Sequence, residues 1–221
     1  MGDHYKEYSL AYISVDCIVF GFDNGKLKML LGRRQINPGR GEWALYGGFV
    51  SATENLEHAA ERVLTSLTGL KNIFMRQVGA YGAVNRDPES RVISVAYCAL
   101  INVKDYDEEL RKQYGLEWVS LEEIPPLFSD HSNMVEDALI MLRRRISNEP
   151  ICFSLLPELF TLTQLQNVFE AIVGKEIDKR NFRKRAKQSN VIEETNVIDK
   201  LTSKRGAVMY RYNGNETDFR L

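Results

Sequence analysis

The first half of the chain alternates long apolar segments with short polar breaks. Residues 10–22 are rich in β-branched and aromatic side chains, which predicts a strand that is buried on both faces. An Asn-Gly dipeptide follows, and because this pair is typical of two-residue hairpin turns, residues 27–32 are expected to return as a second strand. Residues 53–67 instead carry apolar side chains at helical spacing, and Gly69 stands where a glycine commonly ends a helix.

Strand-like and helical patterns continue to alternate up to residue 149. Two further strands, a short helix and an amphipathic helix are predicted over residues 73–84, 91–103, 121–124 and 130–146. This order of elements predicts an α/β (α+β) sandwich with a mixed sheet, formed by residues 1–149.

The pattern changes in the last third of the chain. A capping box at Thr161 starts a helix with an apolar stripe, and Asp178 is suited to cap a second helix after a short turn. Residues 190–213 lose helical periodicity and predict a two-stranded ribbon. Helix, turn, helix and ribbon together predict a winged helix-turn-helix domain over residues 150–221.

The charge of the chain is balanced overall but not along its length. The 221 residues include 29 Lys and Arg and 30 Asp and Glu, a formal net charge of −1. Residues 150–221 hold 12 basic and 9 acidic side chains, whereas residues 1–149 hold 17 and 21. An asymmetry of this kind indicates a polyanionic partner for the basic part.

Membrane and secretory signals are not recognisable in the sequence. No apolar run approaches the ~18 residues that span a bilayer, and the charged first residues are not followed by the h-region of a secretory signal. We therefore expect a cytoplasmic protein without a membrane partner. Cys17, Cys98 and Cys152 lie far apart among apolar neighbours, so we expect buried, reduced thiols.

The segment from Gly48 to Leu70 resembles the Nudix box, the motif with which Nudix hydrolases bind the divalent cations used on pyrophosphates. The matching positions are Gly48, Glu54, Arg62, Leu64, Gly69 and Leu70. This resemblance implies a Nudix-like fold over most of the first domain. The lead-in to the motif carries Tyr46 where the family commonly has a proline.

The metal-binding glutamates of that motif are replaced here. Val63, Ser66 and Leu67 occupy their positions. A hard cation needs several oxygen ligands, and Glu54 alone makes a poor site. We therefore expect no metal, no cofactor and no catalytic residues, and we expect Glu54 and Arg62 to form a charge contact. A Nudix phosphohydrolase acting on ADP-ribose-like substrates is the alternative.

The second helix of the predicted helix-turn-helix is strongly basic. Seven cations lie between Lys175 and Gln188, and Phe182 and Ala186 are spaced to dock the helix on the core. Such a helix fits a DNA major groove, although a solvated charged face is the simpler alternative. The residues expected to contact double-stranded DNA are Thr163, Lys179, Arg180, Asn181, Arg183, Lys184, Lys187, and Lys204 and Arg205 at the wing tip.

A Nudix-like domain with an altered box, followed by a winged helix, resembles the Nudix-related transcriptional regulators of NrtR and AraR type. The resemblance implies a homodimer on a palindromic operator, with the first domain sensing a small-molecule effector. In that family the effector is ADP-ribose for some members and a pentose such as arabinose for others. A protein-interaction module is a third class of function.

The effector is expected to bind near the Nudix-like segment. The side chains proposed for it are Arg33, Arg34, Glu42, Trp43, Tyr46, Tyr81, Asn85, Arg86 and Arg91. Aromatic, carboxylate, amide and guanidinium groups suit a polyol. Together with the loss of the three glutamates and the tyrosine at position 46, this favours a sugar over ADP-ribose.

Overall fold

The computed structural model describes residues 8, 10–71, 73–106, 108–200 and 206–215. The chain begins with a hairpin of two strands, β1 (Tyr12–Asp23) and β2 (Lys26–Arg33). Asn24 and Gly25 form the turn with φ of 51° and 79°, the left-handed backbone that a two-residue turn of this type requires. The predicted hairpin and the burial of β1 on both faces are confirmed.

β1 lies at the centre of a seven-stranded mixed sheet. The other strands are β3 (Trp43–Ala44), β4 (Tyr46–Phe49), β5 (Phe74–Tyr81), β6 (Val92–Asn102) and β7 (Leu116–Ser120). β1 pairs in parallel with β6 and antiparallel with β2 and β4. β5 extends the sheet beyond β6, while β3 and β7 pair with β2. The sequence did not predict β3, β4 or β7, which are only two, four and five residues long.

Helices cover both faces of this sheet. They are α1 (Leu56–Thr68), α2 (Glu108–Gln113) and α3 (His131–Arg145). α1 begins three residues later than predicted, because the Asn55 side chain caps it, and Gly69 ends it at φ 70° as expected. Residues 121–123 form only a 3₁₀ turn before Pro125 and Pro126. α2 has no counterpart in the prediction, since none of its described side chains is buried.

The C-terminal part folds as the predicted winged helix. It contains β8 (Phe160–Thr161), α4 (Leu162–Val173), α5 (Lys179–Gln188), β9 (Ile192–Asp199) and β10 (Ala207–Tyr212), with strand order β8-β10-β9. The capping box is present: the Gln164 amide donates to Thr161 Oγ1, and the Thr161 amide donates to Gln164 Oε1. β8 is the one strand of this sheet that the sequence did not predict.

The two parts share one hydrophobic core. Alternate residues of β1 face opposite sides: Val15, Cys17 and Val19 pack with α1, whereas Ile18 and Phe20 belong to a core that continues into the winged helix. The segment Pro150–Leu155 forms a 3₁₀ helix within that core. The boundary predicted at residue 149 therefore lies in packed structure rather than in an open linker.

A direct hydrogen bond also joins the two parts. Arg143 Nε, in the last turn of α3, donates to the carbonyl of Ile172 in α4 at 3.1 Å. Cys17, Cys98 and Cys152 are buried free thiols, as predicted, and burial raises their pKa values. In the ranges that the structure describes, no helix has the length and apolarity to cross a membrane.

Candidate functional site

The segment that resembles the Nudix box is closed by an ion pair. Arg62 Nε and Nη2 donate to the two carboxylate oxygens of Glu54 at 3.0 and 2.6 Å, and Nη2 also donates to the carbonyl of Phe49. The Ser51 amide donates to the same carboxylate at 2.8 Å. These hydrogen bonds, with that from Arg62 the strongest, lower the pKa of Glu54 to about 2. The predicted charge contact is confirmed.

The positions of the missing glutamates do not point to a common ligand site. Val63 and Leu67 are only 3% and 0% exposed and pack under the sheet, so a carboxylate there would be buried without a partner. Ser66 is exposed and donates its hydroxyl to the Val63 carbonyl at 2.7 Å. Among the described residues, no group of three or more His, Cys, Asp or Glu side chains is placed to hold a metal ion.

A cavity of about 610 Å³ opens beside Gly48. Its walls come from β1, β4, the loops after β2 and β5, and the start of α3. The aromatic and charged side chains that line it are Tyr12, Phe49, Phe128, His131, Asp16, Arg34, Arg86, Asp87 and Glu89. The rings of Tyr12 and Phe49 lie 5.8 Å apart and are 62% and 59% exposed, so they form an open aromatic edge.

Arg86 organises one wall of the cavity. Its Nε and Nη2 donate to Asp130 Oδ2 and Oδ1 at 2.9 and 2.8 Å, and Asp16 Oδ2 lies 3.8 Å from Nη2. Only 7% of the Arg86 side chain is exposed. This guanidinium is therefore engaged by two carboxylates and positions the wall.

His131 presents a fixed tautomer to the same cavity. Its Nδ1 accepts the Leu45 amide at 3.1 Å, so the ring proton lies on Nε2, which is 3.9 Å from Asp16 Oδ1. Burial lowers the pKa of His131, and this effect exceeds the opposing effects of Asp16 and Asp130. The neutral ring thus places an N–H near the Asp16 carboxylate without a direct hydrogen bond to it, and Asp16 Oδ2 accepts the Ser94 hydroxyl at 2.5 Å.

Arg34 supplies the available cation of the cavity. Its guanidinium lies 4.0 Å from the centroid of the Phe128 ring, and its Nε donates to the Pro38 carbonyl at 2.7 Å. Its terminal nitrogens make no hydrogen bond to any residue that the structure describes. They are therefore free to bind an anionic group.

Arg34 and Arg86 are the two members of the predicted effector set that line this cavity. Tyr46 and Arg33, together with Arg34, line a neighbouring depression of about 570 Å³. There the Tyr46 ring packs edge-on against Tyr114 at 5.6 Å. The structure thus separates residues that the sequence grouped together.

The remaining predicted effector residues face other parts of the molecule. Arg33 lies over Trp43 at 4.1 Å, since both are at the edge where β2 pairs with β3. Tyr81 donates to Asp137 of α3 at 2.7 Å. Burial is the main reason why the pKa of Tyr81 is raised, and this hydrogen bond raises it further. Glu42, Asn85 and Arg91 lie in loops outside the cavity lining, and Arg91 donates to the Ala83 carbonyl.

Seven aromatic or charged residues of the cavity lining were not among the expected effector residues: Tyr12, Asp16, Phe49, Asp87, Glu89, Phe128 and His131. A signal existed for Asp16, because it is the single charged side chain in the apolar run of residues 10–22. No local pattern in the sequence around His131 indicates that it lines a cavity.

The basic helix α5 docks as its sequence predicts. Phe182 and Ala186 are 1% and 0% exposed, and the Phe182 ring contacts that of Phe169 in α4 at 5.5 Å. Asp178 caps the helix by accepting the Asn181 amide at 2.8 Å. The cations are therefore held on a fixed and outward-facing surface.

A groove of about 770 Å³ runs between the start of α4, one side of α5 and β10. Four of the predicted DNA-binding residues line it: Thr163, Lys179, Arg183 and Lys187. Arg183 Nη2 donates to Thr163 Oγ1 at 3.1 Å, while its buried Nε has no partner among the described groups. Three cations thus converge on one groove beside the wing.

The other predicted DNA-binding residues lie outside the groove. Arg180, Asn181 and Lys184 are exposed on α5. Asn181 lies about 160° around the helix axis from Arg183, so the two are expected to contact different parts of a duplex. Lys204 and Arg205 are outside the described residues.

Comparison with known proteins identifies both parts. The model of the NUDIX domain matches residues 12–138, and that of the NrtR DNA-binding winged helix domain matches residues 152–212. The chain is 37% identical over 218 residues to the ADPR responsive transcriptional repressor NtrR of Acinetobacter baylyi, covering 97% of this chain and 87% of that protein. The chain belongs to the NrtR family. The resemblance inferred from the sequence is thereby confirmed.

Two solved structures of the NrtR family from Shewanella oneidensis are similar to this chain. NrtR complexed with a 27mer DNA has a TM-score of 0.86 and 28% identity, covering 95% of this chain and 97% of that one. The NUDIX domain of NrtR complexed with ADP ribose has a TM-score of 0.50 and 25% identity, covering 64% and 99%. The relatives' names thus specify DNA and ADP-ribose, and they do not support the preference for a pentose.

Proposed function

We propose that this chain is a transcriptional repressor whose affinity for DNA responds to ADP-ribose. The observation that carries the proposal is the groove of α4, α5 and β10, in which Lys179, Arg183 and Lys187 converge beside a wing. Cations spaced along a docked helix neutralise successive phosphates, and the exposed Arg180 and Lys184 add to this surface. The DNA-bound relative supports the same role for this fold.

The cavity beside Gly48 has the chemistry that a nucleoside diphosphate sugar requires. Its 610 Å³ lies within the ~300–1,000 Å³ typical of small-molecule sites. The open edge of Tyr12 and Phe49 suits an adenine ring, and Arg34 suits a pyrophosphate. The carboxylates of Asp87 and Glu89 suit ribose hydroxyls. A pentose has no aromatic base and no anionic group, so it leaves most of these features unused.

The same proposal holds that the chain is not a hydrolase. Val63 and Leu67 are core residues, and the carboxylate of Glu54 is occupied by Arg62. The predicted homodimer belongs to this proposal, because a palindromic operator requires two copies of α5. The predicted cytoplasmic location belongs to it as well.

Titration of a labelled duplex, selected by the protein from a random library, tests the DNA-binding part. Adding ADP-ribose should change that affinity, and the duplex should change ADP-ribose affinity by the same factor. L-Arabinose is the comparison ligand. No preference for any duplex, or a response to L-arabinose alone, would contradict the proposal.

A pair of adjacent arginines tests the cavity. Arg34→Met removes the free guanidinium, and the matched control Arg33→Met removes one that stacks on Trp43 outside the cavity. Saturation at 100 times Kd stabilises a protein by about 2.7 kcal/mol, so ADP-ribose should raise the melting temperature of wild type and R33M. R34M should need a higher concentration for the same shift. If R33M and R34M lose the same affinity for ADP-ribose, this cavity is excluded as its binding site.

A further inference from the structure

The turn between α4 and α5 is held by two side chains of α4. Gln166 Nε2 donates to Glu170 Oε1 at 2.9 Å and to the carbonyl of Ile177 at 3.0 Å. The Ile177 amide donates to the same Glu170 oxygen at 2.8 Å. Both backbone groups of one turn residue are thus satisfied by a Gln-Glu pair from the preceding helix.

The turn residue held by this pair, Ile177, lies just before the basic helix α5. Ile177 precedes Asp178, whose side chain caps α5. Glu170 also holds the other end of the turn, since its carbonyl accepts the amide of Gly174, which has φ 78°. The start of α5 is therefore tied to α4 at both ends of the turn, in addition to the packing of Phe182.

The negative charge of Glu170 allows a positioning role to be distinguished from a direct electrostatic effect on DNA binding. Glu170 is a carboxylate in the domain that approaches DNA, where a negative charge opposes phosphate binding. If it acted only through its charge, its removal would strengthen DNA binding. Gln166 is just 8% exposed, and both hydrogens of its amide nitrogen are used within the network.

We propose that Glu170 and Gln166 are positioning residues that set the direction of α5 and thereby the sequence specificity of DNA binding. The proposal rests on the proposed DNA-binding function. Direct contact with base edges requires a defined helix orientation, whereas attraction to phosphates tolerates small changes in that orientation. Loss of the network should therefore weaken binding to a specific site and leave binding to unrelated DNA unchanged.

The test compares three variants of the full chain. Glu170→Ala removes the acceptor. Glu170→Gln removes the charge but keeps an oxygen that accepts from Ile177 and Gln166. Glu176→Ala removes an exposed carboxylate of the same turn that makes no hydrogen bond to any described residue. Affinities are measured for a duplex selected by the wild type from a random library and for a scrambled duplex.

E170A should bind the selected duplex about tenfold more weakly or worse, the loss expected for about 1.4 kcal/mol, with unchanged affinity for the scrambled duplex. E170Q and E176A should keep the wild-type ratio of the two affinities within about threefold. The salt dependence should be the same in all variants, since no phosphate contact is lost. Amide exchange at Ile177 should accelerate in E170A alone.

Gln166→Met provides a second variant of similar length in case E170A does not fold. It removes both donated hydrogen bonds and should lower the same ratio. If E170A and Q166M keep the wild-type ratio, or if E170A binds both duplexes more tightly than the wild type does, the positioning role is refuted. If the wild type selects no duplex, the DNA-binding function itself fails, and this proposal fails with it.

Discussion

The ion pair between Arg86 and Asp130 gives a sharp prediction about stability. Arg86→Met removes the guanidinium and keeps most of the side-chain volume. The paired side chains are 7% and 18% exposed, and Asp16 lies 3.8 Å from the same nitrogen. The variant would therefore leave two largely buried carboxylates without their cation.

Removing one partner of a buried pair costs about 3–5 kcal/mol. For a chain of this size, each kcal/mol lowers the melting temperature by about 2–4 °C, so we expect a decrease of roughly 6–20 °C. The matched control is Arg211→Met. Arg211 donates two hydrogen bonds to Glu193 at 2.9 and 2.7 Å, but these side chains are 58% and 47% exposed. Its loss should cost only about 0–1 kcal/mol.

Urea and thermal unfolding of both variants measure the difference. The double variant Arg86→Met with Asp130→Leu should recover part of the loss, because it also removes the carboxylate that Arg86→Met leaves unpaired. Equal destabilisation by R86M and R211M would refute the reasoning, since it would mean that burial adds nothing to the first pair.

Three further predictions concern pH, salt and catalysis. Burial lowers the pKa of His131 in the folded state below its unfolded value of about 6.5, so the folded state binds fewer protons than the unfolded state. The free energy of unfolding should therefore fall from pH 7.5 to pH 5, and it should fall less steeply in the variant His131→Asn. Lys184→Ala should reduce the salt slope of DNA binding by about 0.9, whereas the control Lys104→Ala in the first domain should leave it unchanged. The purified protein should not cleave ADP-ribose with Mg²⁺ or Mn²⁺; turnover near 1 per second or faster would restore the hydrolase alternative.

Local patterns in the sequence predicted most of the fold. The hairpin, the capping box at Thr161 and the glycine end of α1 depend on neighbouring residues, and the structure contains all of them. The elements that escaped prediction carry little local signal. α2 buries none of its described side chains, and β8 is two residues long and is defined by its pairing with β10.

The candidate sites differ in the same way: one depends on local sequence and the other on distant parts of the chain. The α5 surface was predictable because one helix carries both the cations and the apolar residues that dock it. The cavity was not, because Asp16, Arg86 and His131 meet only when β1, the loop after β5 and α3 come together. Residues expected to surround the effector do not all share one side of the fold, because strand alternation places Tyr81 on another face, where it contacts α3.

The shared core constrains how such a protein can change by recombination. Ile18 and Phe20 of the seven-stranded sheet pack in the same core as Leu165 and Phe169 of α4. A winged helix exchanged from a relative would have to match that sheet face as well as bring its own recognition helix. Substitutions at these sheet positions are therefore expected to be coupled to substitutions in α4. Chimaeras in this family should retain function only when the sheet face that carries Ile18 and Phe20 is transferred with the winged helix.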